Sequence, residues 1–286
     1  MRLDDGRESD NLEDRRAGGC RGGRMVAGGG IGTVVLVVLA LLLGVDPGVI
    51  LSGGAPAPPA VERGAPPARP AGDDDAARFV SRVLAETEDV WTPLFESIGR
   101  RYAAPRLVLF SGVVESGCGV ARAQVGPFYC PEDGRVYLDL DFLGEMQRRL
   151  GATGDFAAAY VIAHEIGHHV QRQLGVLDRV EALKRRASEA QANGLQVRVE
   201  LQADCLAGLW ARRADEARRI LEQGDIEEGL EAAAAVGDDR LQRRARGTVQ
   251  PETFTHGSSA QRVRWFRAGL ESGRLDACDT FAPERP

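Results

Sequence analysis

The segment His164-Glu165-Ile166-Gly167-His168 constrains this chain more than any other, because its two histidines stand four residues apart. On an α-helix, residues i and i+4 lie on one face about one turn apart, so both imidazoles can reach a single ion. Glu165 points into the same cleft, where a carboxylate can take a proton from a metal-bound water. The segment therefore predicts a helix that carries part of a zinc hydrolase site.

Signals at both ends support this helix. Gly154-Asp155 provides a start, an apolar stripe follows, and Leu174-Gly175 provides a stop. His169 is rotated by about 100° from His168 on a helix, so it cannot join the same ion. We therefore expect His169 to be a packed or surface histidine.

A zinc hydrolase site needs a third protein ligand and an open fourth position for water. Glu200 and Asp204 share one face of a helical pattern that runs from about Val180 to Leu221. The turns around them are largely apolar, which favours buried, partnered acids over a solvated surface pair. One carboxylate can bind the metal, while the other accepts the spare N–H of a ligand histidine.

His256 lies far from the other histidines in the sequence, in a loop before a predicted helix that carries Arg262. A histidine placed there can donate a hydrogen bond to the oxyanion that forms during attack on a carbonyl. Arg262 can orient that histidine or bind substrate. The alternative is a helix-capping loop followed by a surface arginine, and the sequence does not decide between them.

Together these motifs resemble the bacterial neutral zinc metallopeptidases, a gluzincin-like family. The resemblance implies a zincin-like fold, peptidase activity and one Zn²⁺ per chain, with Glu200 as the third ligand and Asp204 as a partner of a ligand histidine. Related gluzincins also place a similar histidine and arginine near their sites. Besides the zinc helix, the resemblance rests on Arg7–Arg16, Gly126–Pro131, Glu200–Asp204 and Thr255–Arg262.

The N-terminal part of the chain predicts a membrane anchor, as the resemblance also implies. Met25–Val45 is a run of 21 residues without a charge, close to the roughly 20 that a helix needs to cross a bilayer. Arginines just before it predict a cytoplasmic segment 1–24 and an extracytoplasmic remainder. Prolines after the candidate cleavage sites favour an uncleaved anchor. Residues 46–75 form a linker rich in Pro, Ala and Gly, and 76–286 form the catalytic domain.

The catalytic domain is predicted to be α+β, with a small antiparallel sheet, the active-site helix and C-terminal helices. Arg106–Phe110 is a strand, and Phe128–Cys130 and Val136–Leu140 flank a hairpin turn. We expect Val136–Leu140 or its neighbour to hold an extended substrate by backbone pairing. Further helices are predicted over Ala76–Tyr102 with a break at Pro93, Asp225–Val236 and Ser258–Ser272.

Cysteine usage is typical of an exported domain. Cys20 falls in the predicted cytoplasmic segment, which leaves Cys118, Cys130, Cys205 and Cys278 outside the membrane. Cys118 with Cys130 is the favoured disulfide, and Cys205 with Cys278 would then tie the C-terminal tail to the helix that carries the two acids. Four cysteines allow three pairings, and the sequence does not choose among them. Without a CxxC pair, zinc binding by these cysteines is disfavoured.

The formal charge of −6 gives no basic surface for nucleic acid. The sequence thus predicts a single-pass, membrane-anchored zinc endopeptidase on the extracytoplasmic face, acting on peptide or protein substrates. The same zinc chemistry would also serve a non-peptide substrate such as a cell-wall amide. A membrane-anchored zinc-binding protein without catalysis is the third reading, although structural zinc sites are usually closed by four protein ligands.

Overall fold

The computed structural model describes residues 1–16, 75–122, 126–142 and 154–282. The described part has an α+β architecture, as the sequence predicts. Its strands are β1 (Leu12–Asp14), β2 (Arg106–Phe110), β3 (Val113–Ser116), β4 (Gly119–Arg122), β5 (Phe128–Cys130) and β6 (Arg135–Asp139). Its α-helices are α1 (Asp75–Ser97), α2 (Asp155–Gln173), α3 (Val176–Lys184), α4 (Glu189–Arg218), α5 (Asp225–Ala235), α6 (Asp238–Arg246) and α7 (Ser259–Ser272).

The main sheet is mixed, so the expectation of an antiparallel sheet is wrong. Its strand order is β1-β2-β6-β5, with β2 parallel to both β1 and β6. The chain leaves β2, forms the separate β3–β4 hairpin and then β5, and returns along β6 in the direction of β2. Only the predicted β5–β6 hairpin is antiparallel within this sheet of the described residues.

This strand order determines which strand of the predicted hairpin can pair with an extended substrate. β6 is bonded to β2 on one side and, at Arg135–Tyr137, to β5 on the other, so this part of the strand offers no free edge. Its neighbour β5 is an edge strand, and the second edge strand of the sheet is β1. Among the described strands of this sheet, β5 and β1 are therefore the edge strands that a substrate strand could extend.

Helix α2 begins after Gly154 and ends before Gly175, where a positive φ of 75° favours glycine, as predicted. The predicted continuous helix from Val180 to Leu221 is wrong, because the chain breaks between α3 and α4. Ser188 starts α4 with a capping box, in which its hydroxyl and the Gln191 side chain satisfy each other's backbone N–H groups. The apolar periodicity continues across the break, but the local capping chemistry ends one helix and begins the next.

Helices α4 and α7 cross in close contact, and this contact positions the site. A Cβ atom at Gly208 would lie 2.0 Å from the Phe266 carbonyl oxygen. A Cβ atom at Gly269 would lie 1.9 Å from the Cys205 carbonyl oxygen. Only glycine permits the two backbones to approach this closely. The crossing brings Arg262 of α7 against Asp204 of α4.

Of the three possible pairings, the structure has the one that contains the favoured disulfide Cys118–Cys130. Cys118–Cys130 ties β5 to the turn between β3 and β4, and Cys205–Cys278 ties the C-terminal 3-10 helix Leu275–Cys278 to α4.

The predicted membrane span Met25–Val45 and nearly all of the linker 46–75 lie outside the described residues. Within the described ranges, no helix combines the length and apolar character needed to cross a bilayer. Residues 1–16 are described, and they pack on the domain: β1 pairs with β2 along the register Leu12 to Leu107. The predicted separation of segment 1–24 from the domain therefore does not hold for residues 1–16.

Candidate metal centre

His164 and His168 of α2 and Glu200 of α4 converge as the resemblance implies. Their ligand atoms all lie within 4.8 Å of one another. Glu200 Oε2 is 3.3 Å from His164 Nε2 and 3.7 Å from His168 Nε2. Ligands bound at about 2.0–2.1 Å in a tetrahedron stand roughly 3.3–3.4 Å apart. The three side chains are therefore spaced to hold one zinc ion.

Asp204 is the partner of the first histidine. Its Oδ1 lies 2.9 Å from His164 Nδ1, which leaves His164 Nε2 with its lone pair toward the metal position. Burial lowers the pKa of His164, but the hydrogen bond and charge of Asp204 raise it to about 9. Asp204 thus fixes the tautomer of His164 and makes its imidazole a stronger base.

Arg262 and Tyr160 hold Asp204 in turn. Arg262 donates from Nε to Asp204 Oδ2 and from Nη2 to Oδ1, both at 2.8 Å. The Tyr160 hydroxyl donates to the same Oδ1 at 2.5 Å. Arg262 is only 3% exposed, so its placement favours the positioning of Asp204 over direct contact with substrate.

Gln171 is the partner of the second histidine, and sequence reasoning missed it. Its Oε1 lies 2.9 Å from His168 Nδ1. Its amide nitrogen donates to the Val199 carbonyl at 2.8 Å and to Gln202 Oε1 at 3.0 Å. Gln171 is fully buried and joins α2 to α4. The available signal was its position three residues after His168 on the same helix, where a side chain can reach back to the ring.

A polar chain also supports Glu200. Gln196, one turn earlier on α4, donates from Nε2 to Glu200 Oε1 at 2.7 Å, and Lys184 of α3 donates to Gln196 Oε1. Burial raises the pKa of Glu200, but the nearby imidazoles of His168 and His164 hold it well below the ordinary carboxyl value. Glu200 therefore presents an ionised Oε2 to the metal position while Gln196 occupies its other oxygen.

Glu165 is buried beside the ligands and is not itself part of the ligand group. Burial raises its pKa above the ordinary carboxyl value, although His168, His164 and the backbone amide of Tyr129 act in the opposite direction. A carboxylate with a raised pKa is a better proton acceptor, which suits a general base.

His256 lies near the metal centre, close enough for the charge of Glu200 to act on it. Its backbone N–H donates to Asp238 Oδ2 at 2.6 Å, and its Nδ1 lies 3.3 Å from Asp238 Oδ1. Burial lowers the pKa of His256, but Asp238 and Glu200 raise it above the ordinary value. Asp238, the first residue of α6, is a second residue that sequence reasoning missed, because α6 itself was not predicted.

His169 lies outside the centre, as its rotation on α2 predicts. Its Nε2 faces the Ala103 carbonyl oxygen at 2.7 Å, and its Nδ1 lies 3.1 Å from the Tyr129 hydroxyl. It packs α2 against the strand β5 and the loop after α1.

Two imidazoles and a carboxylate converge on one point, and these donor types suit a zinc ion. The chain belongs to the family described as "Putative neutral zinc metallopeptidase", whose model matches residues 1–281. The family implies zinc as the metal, and the ligand types and spacing of this site fit that ion.

Curated relatives extend along most of the chain. The "Uncharacterized protein YpfJ" of Escherichia coli strain K12 is 46% identical over 287 aligned residues, which cover 98% of this chain and 99% of that protein. The "Uncharacterized protein Rv2575" of Mycobacterium tuberculosis strain H37Rv is 44% identical over 258 residues, or 85% of each chain. The "Uncharacterized protein Mb2605" of Mycobacterium bovis matches to the same extent. No solved structure matches this chain.

Proposed function

We propose that this protein is a zinc-dependent endopeptidase in which Glu165 is the general base. One observation carries the proposal: His164, His168 and Glu200 converge on a single point, and Glu165 is buried beside them without belonging to the ligand group. A structural zinc site would be closed by a fourth protein ligand, often a cysteine. All four cysteines in the described part of the chain are joined in disulfides, so none of them is available as that ligand.

Zinc, when bound to these residues, supplies a Lewis acid that polarises a carbonyl and makes water acidic near neutral pH. The chain supplies the proton transfers. Glu165 accepts a proton from the attacking water and later gives it to the leaving amine. The burial that raises its pKa favours both steps, because the carboxyl must take up and release a proton at near-neutral pH.

The edge strand β5 is the proposed docking site for an extended substrate. Tyr129, in the middle of this strand, directs its backbone amide toward Glu165. A peptide that lay along β5 and bonded the Tyr129 carbonyl, since the Tyr129 amide already faces Glu165, would lie beside the general base. The disulfide Cys118–Cys130 anchors the end of the strand and keeps this edge in place.

His256 is the proposed hydrogen-bond donor to the developing oxyanion. With Nδ1 facing Asp238, the ring must carry protons on both nitrogens in order to donate from Nε2 as well. Asp238 and Glu200 stabilise that doubly protonated form. The same placement explains why a carboxylate rather than a neutral acceptor stands behind this ring.

The test is cleavage of a peptide library and of a denatured protein by the full chain, with zinc content measured on the same samples. We compare the unchanged protein, Glu165→Gln and Glu231→Gln, which makes the same chemical change on an exposed part of α5. We expect one zinc per chain in all three proteins. Cleavage of internal bonds should persist in Glu231→Gln and fall by about 10³-fold or more in Glu165→Gln.

Equal cleavage by Glu165→Gln and the unchanged protein would refute the role of Glu165. One zinc per chain with no cleavage in any of the three proteins would refute the peptidase assignment while leaving the metal site intact.

A further inference from the structure

We infer that residues 1–16 are a built-in edge strand and strap of the catalytic domain, and therefore lie on the same side of the membrane as the metal centre. Four groups of contacts with three elements of the domain carry this inference. Each would have to be broken to place the N-terminus on the opposite side.

The first group is the pairing of β1 with β2. Leu12, Glu13 and Asp14 run parallel to Leu107, Val108 and Leu109. The pairing extends at both ends, because the Leu107 amide donates to the Asn11 carbonyl at 3.0 Å and the Arg15 amide donates to the Leu109 carbonyl at 2.8 Å. Without β1, the apolar strand β2 would present an unpaired edge, which proteins normally avoid.

The second group surrounds Glu88, an acid of α1 that is only 8% exposed. Its carboxylate accepts hydrogen bonds from Arg7 Nη2 at 2.8 Å, from Asn11 Nδ2 at 2.9 Å and from the Ser9 hydroxyl. All three donors belong to the N-terminal segment. Removal of that segment would leave a buried carboxylate without these partners, which is strongly destabilising.

The third group connects the segment to further residues of α1, two of them buried and one exposed. Arg7 Nη2 also donates to Asp89 Oδ1 at 2.7 Å and to the Ala85 carbonyl at 3.2 Å, and the Ser9 amide reaches Ser81 Oγ at 3.0 Å.

The fourth group reaches the end of α4. Leu3 is 5% exposed and belongs to the main apolar core, and the Arg2 amide donates to the Ile220 carbonyl at 2.8 Å. The segment thus contacts the sheet, α1 and the end of α4 in turn. These contacts explain the N-terminal motif Arg7–Arg16 as structural residues of the domain.

A topological consequence follows. Because residue 16 and residue 75 both adjoin the same folded domain, the chain between them begins and ends on one side of a membrane. The sequence-based arrangement, with segment 1–24 in the cytoplasm and the domain outside after a single crossing, requires all four groups of contacts to be absent. The two disulfides indicate an oxidising compartment, so the shared side is extracytoplasmic.

The experiment labels single introduced cysteines in intact cells that express the full chain. Glu8→Cys reports on the N-terminal segment and Glu96→Cys reports on the domain, since both positions are exposed. Each variant carries Cys20→Ser, so that the introduced thiol is the reporter. A membrane-impermeant maleimide is applied before and after cell lysis, with a cytoplasmic thiol protein as the control for leakage. Labelling in detergent and denaturant measures the total thiol.

We expect the fraction of thiol labelled before lysis to be high, and equal within error, for Glu8→Cys and Glu96→Cys. Labelling of Glu96→Cys alone before lysis would overturn the inference and restore the single crossing. Labelling of both only after lysis would uphold the shared side and overturn the extracytoplasmic assignment. The outcome does not depend on peptidase activity, so it is independent of the proposed function.

Discussion

His164 and His168 occupy neighbouring turns of one face of α2, yet the groups behind their rings differ in charge and in connection. Behind His164 stands Asp204, which is fully buried and held by Arg262 and Tyr160. Behind His168 stands the neutral amide of Gln171, which is tied to the backbone of α4 at Val199. His164 is therefore held by a buried ion pair, and His168 is held by neutral hydrogen bonds.

The two supporting groups should therefore differ in how much their removal destabilises the site. A buried ion pair is stable only while both charges are present, so the His164 side is rigid and intolerant of change. Removal of the Gln171 amide should cost less stability, because it leaves no charge unpaired. His256 resembles His164 in this respect, since it too is backed by a carboxylate, Asp238. The predictions below test this ranking.

The largest effect is expected for Asp204→Asn. The change keeps the shape of the side chain but leaves Arg262 as an uncompensated buried charge, which costs about 3–5 kcal/mol of unfolding free energy. Zinc affinity should fall about 100-fold, because His164 loses its charged partner. Urea unfolding of the metal-free protein and competition with a chelator measure the two effects. The exposed Asp5→Asn is the matched control, and near-identical behaviour of the two variants would break the comparison.

The next effect is expected for His256→Gln, with kcat lowered about 10²–10³-fold, the usual cost of removing one oxyanion donor. The active form of His256 is protonated, so activity in the unchanged protein is lost as pH rises through the raised pKa of this ring. Glutamine does not titrate, and the variant should lack this alkaline limb. The measurement is kcat/KM against pH. A variant with an unchanged alkaline limb would remove His256 from the mechanism.

A smaller effect is expected for Gln171→Leu. The variant leaves the Val199 carbonyl and the His168 N–H without their partner, and zinc affinity should fall about tenfold, the lower end for partners of metal ligands. Unfolding free energy should fall by about 1–3 kcal/mol. Gln223→Leu, at an exposed position, is the matched control. A loss of zinc affinity as large as that of Asp204→Asn would show that a charged partner is no more important to its histidine than a neutral one.

The smallest effect is expected for Gln196→Leu. Gln196 bonds Glu200 Oε1, while Oε2 faces the metal position, so removal should loosen the ligand. Lys184 also loses its acceptor, but it is only half-buried and can turn to water. We expect zinc affinity to fall about three- to tenfold, the equivalent of one ordinary hydrogen bond. Lys184→Met should give a similar or smaller change, because Lys184 acts through Gln196. A larger loss of zinc affinity for Lys184→Met than for Gln196→Leu would refute the view that Lys184 acts on Glu200 through Gln196.

The sequence predicts the parts of the molecule that depend on local periodicity and capping. Helix α2 and the convergence of His164 and His168 follow from a spacing of four residues and from glycines at both helix ends. The two disulfides were favoured but not chosen by the sequence, since pairing depends on the folded path of the chain.

Other features depend on contacts between distant segments. The parallel pairing of β1 and β2 joins residues more than ninety positions apart, so no local pattern reports it. The sequence predicts that Arg262 orients His256, binds substrate or lies on the surface, and not that it holds Asp204. The contact between α4 and α7 that buries Arg262 is a property of the two helices together. Gln171 was within reach of sequence reasoning, but an amide is a less evident partner for a ligand histidine than a carboxylate.

The central claim is that His164, His168 and Glu200 hold one zinc ion. The most direct measurement is anomalous diffraction at the zinc absorption edge from crystals of the full-length Glu165→Gln protein, in which turnover is blocked. We expect one strong anomalous peak per chain, about 2.0–2.1 Å from His164 Nε2, His168 Nε2 and Glu200 Oε2. A peak held by other side chains, or no peak between these three in protein that contains stoichiometric zinc, would contradict it.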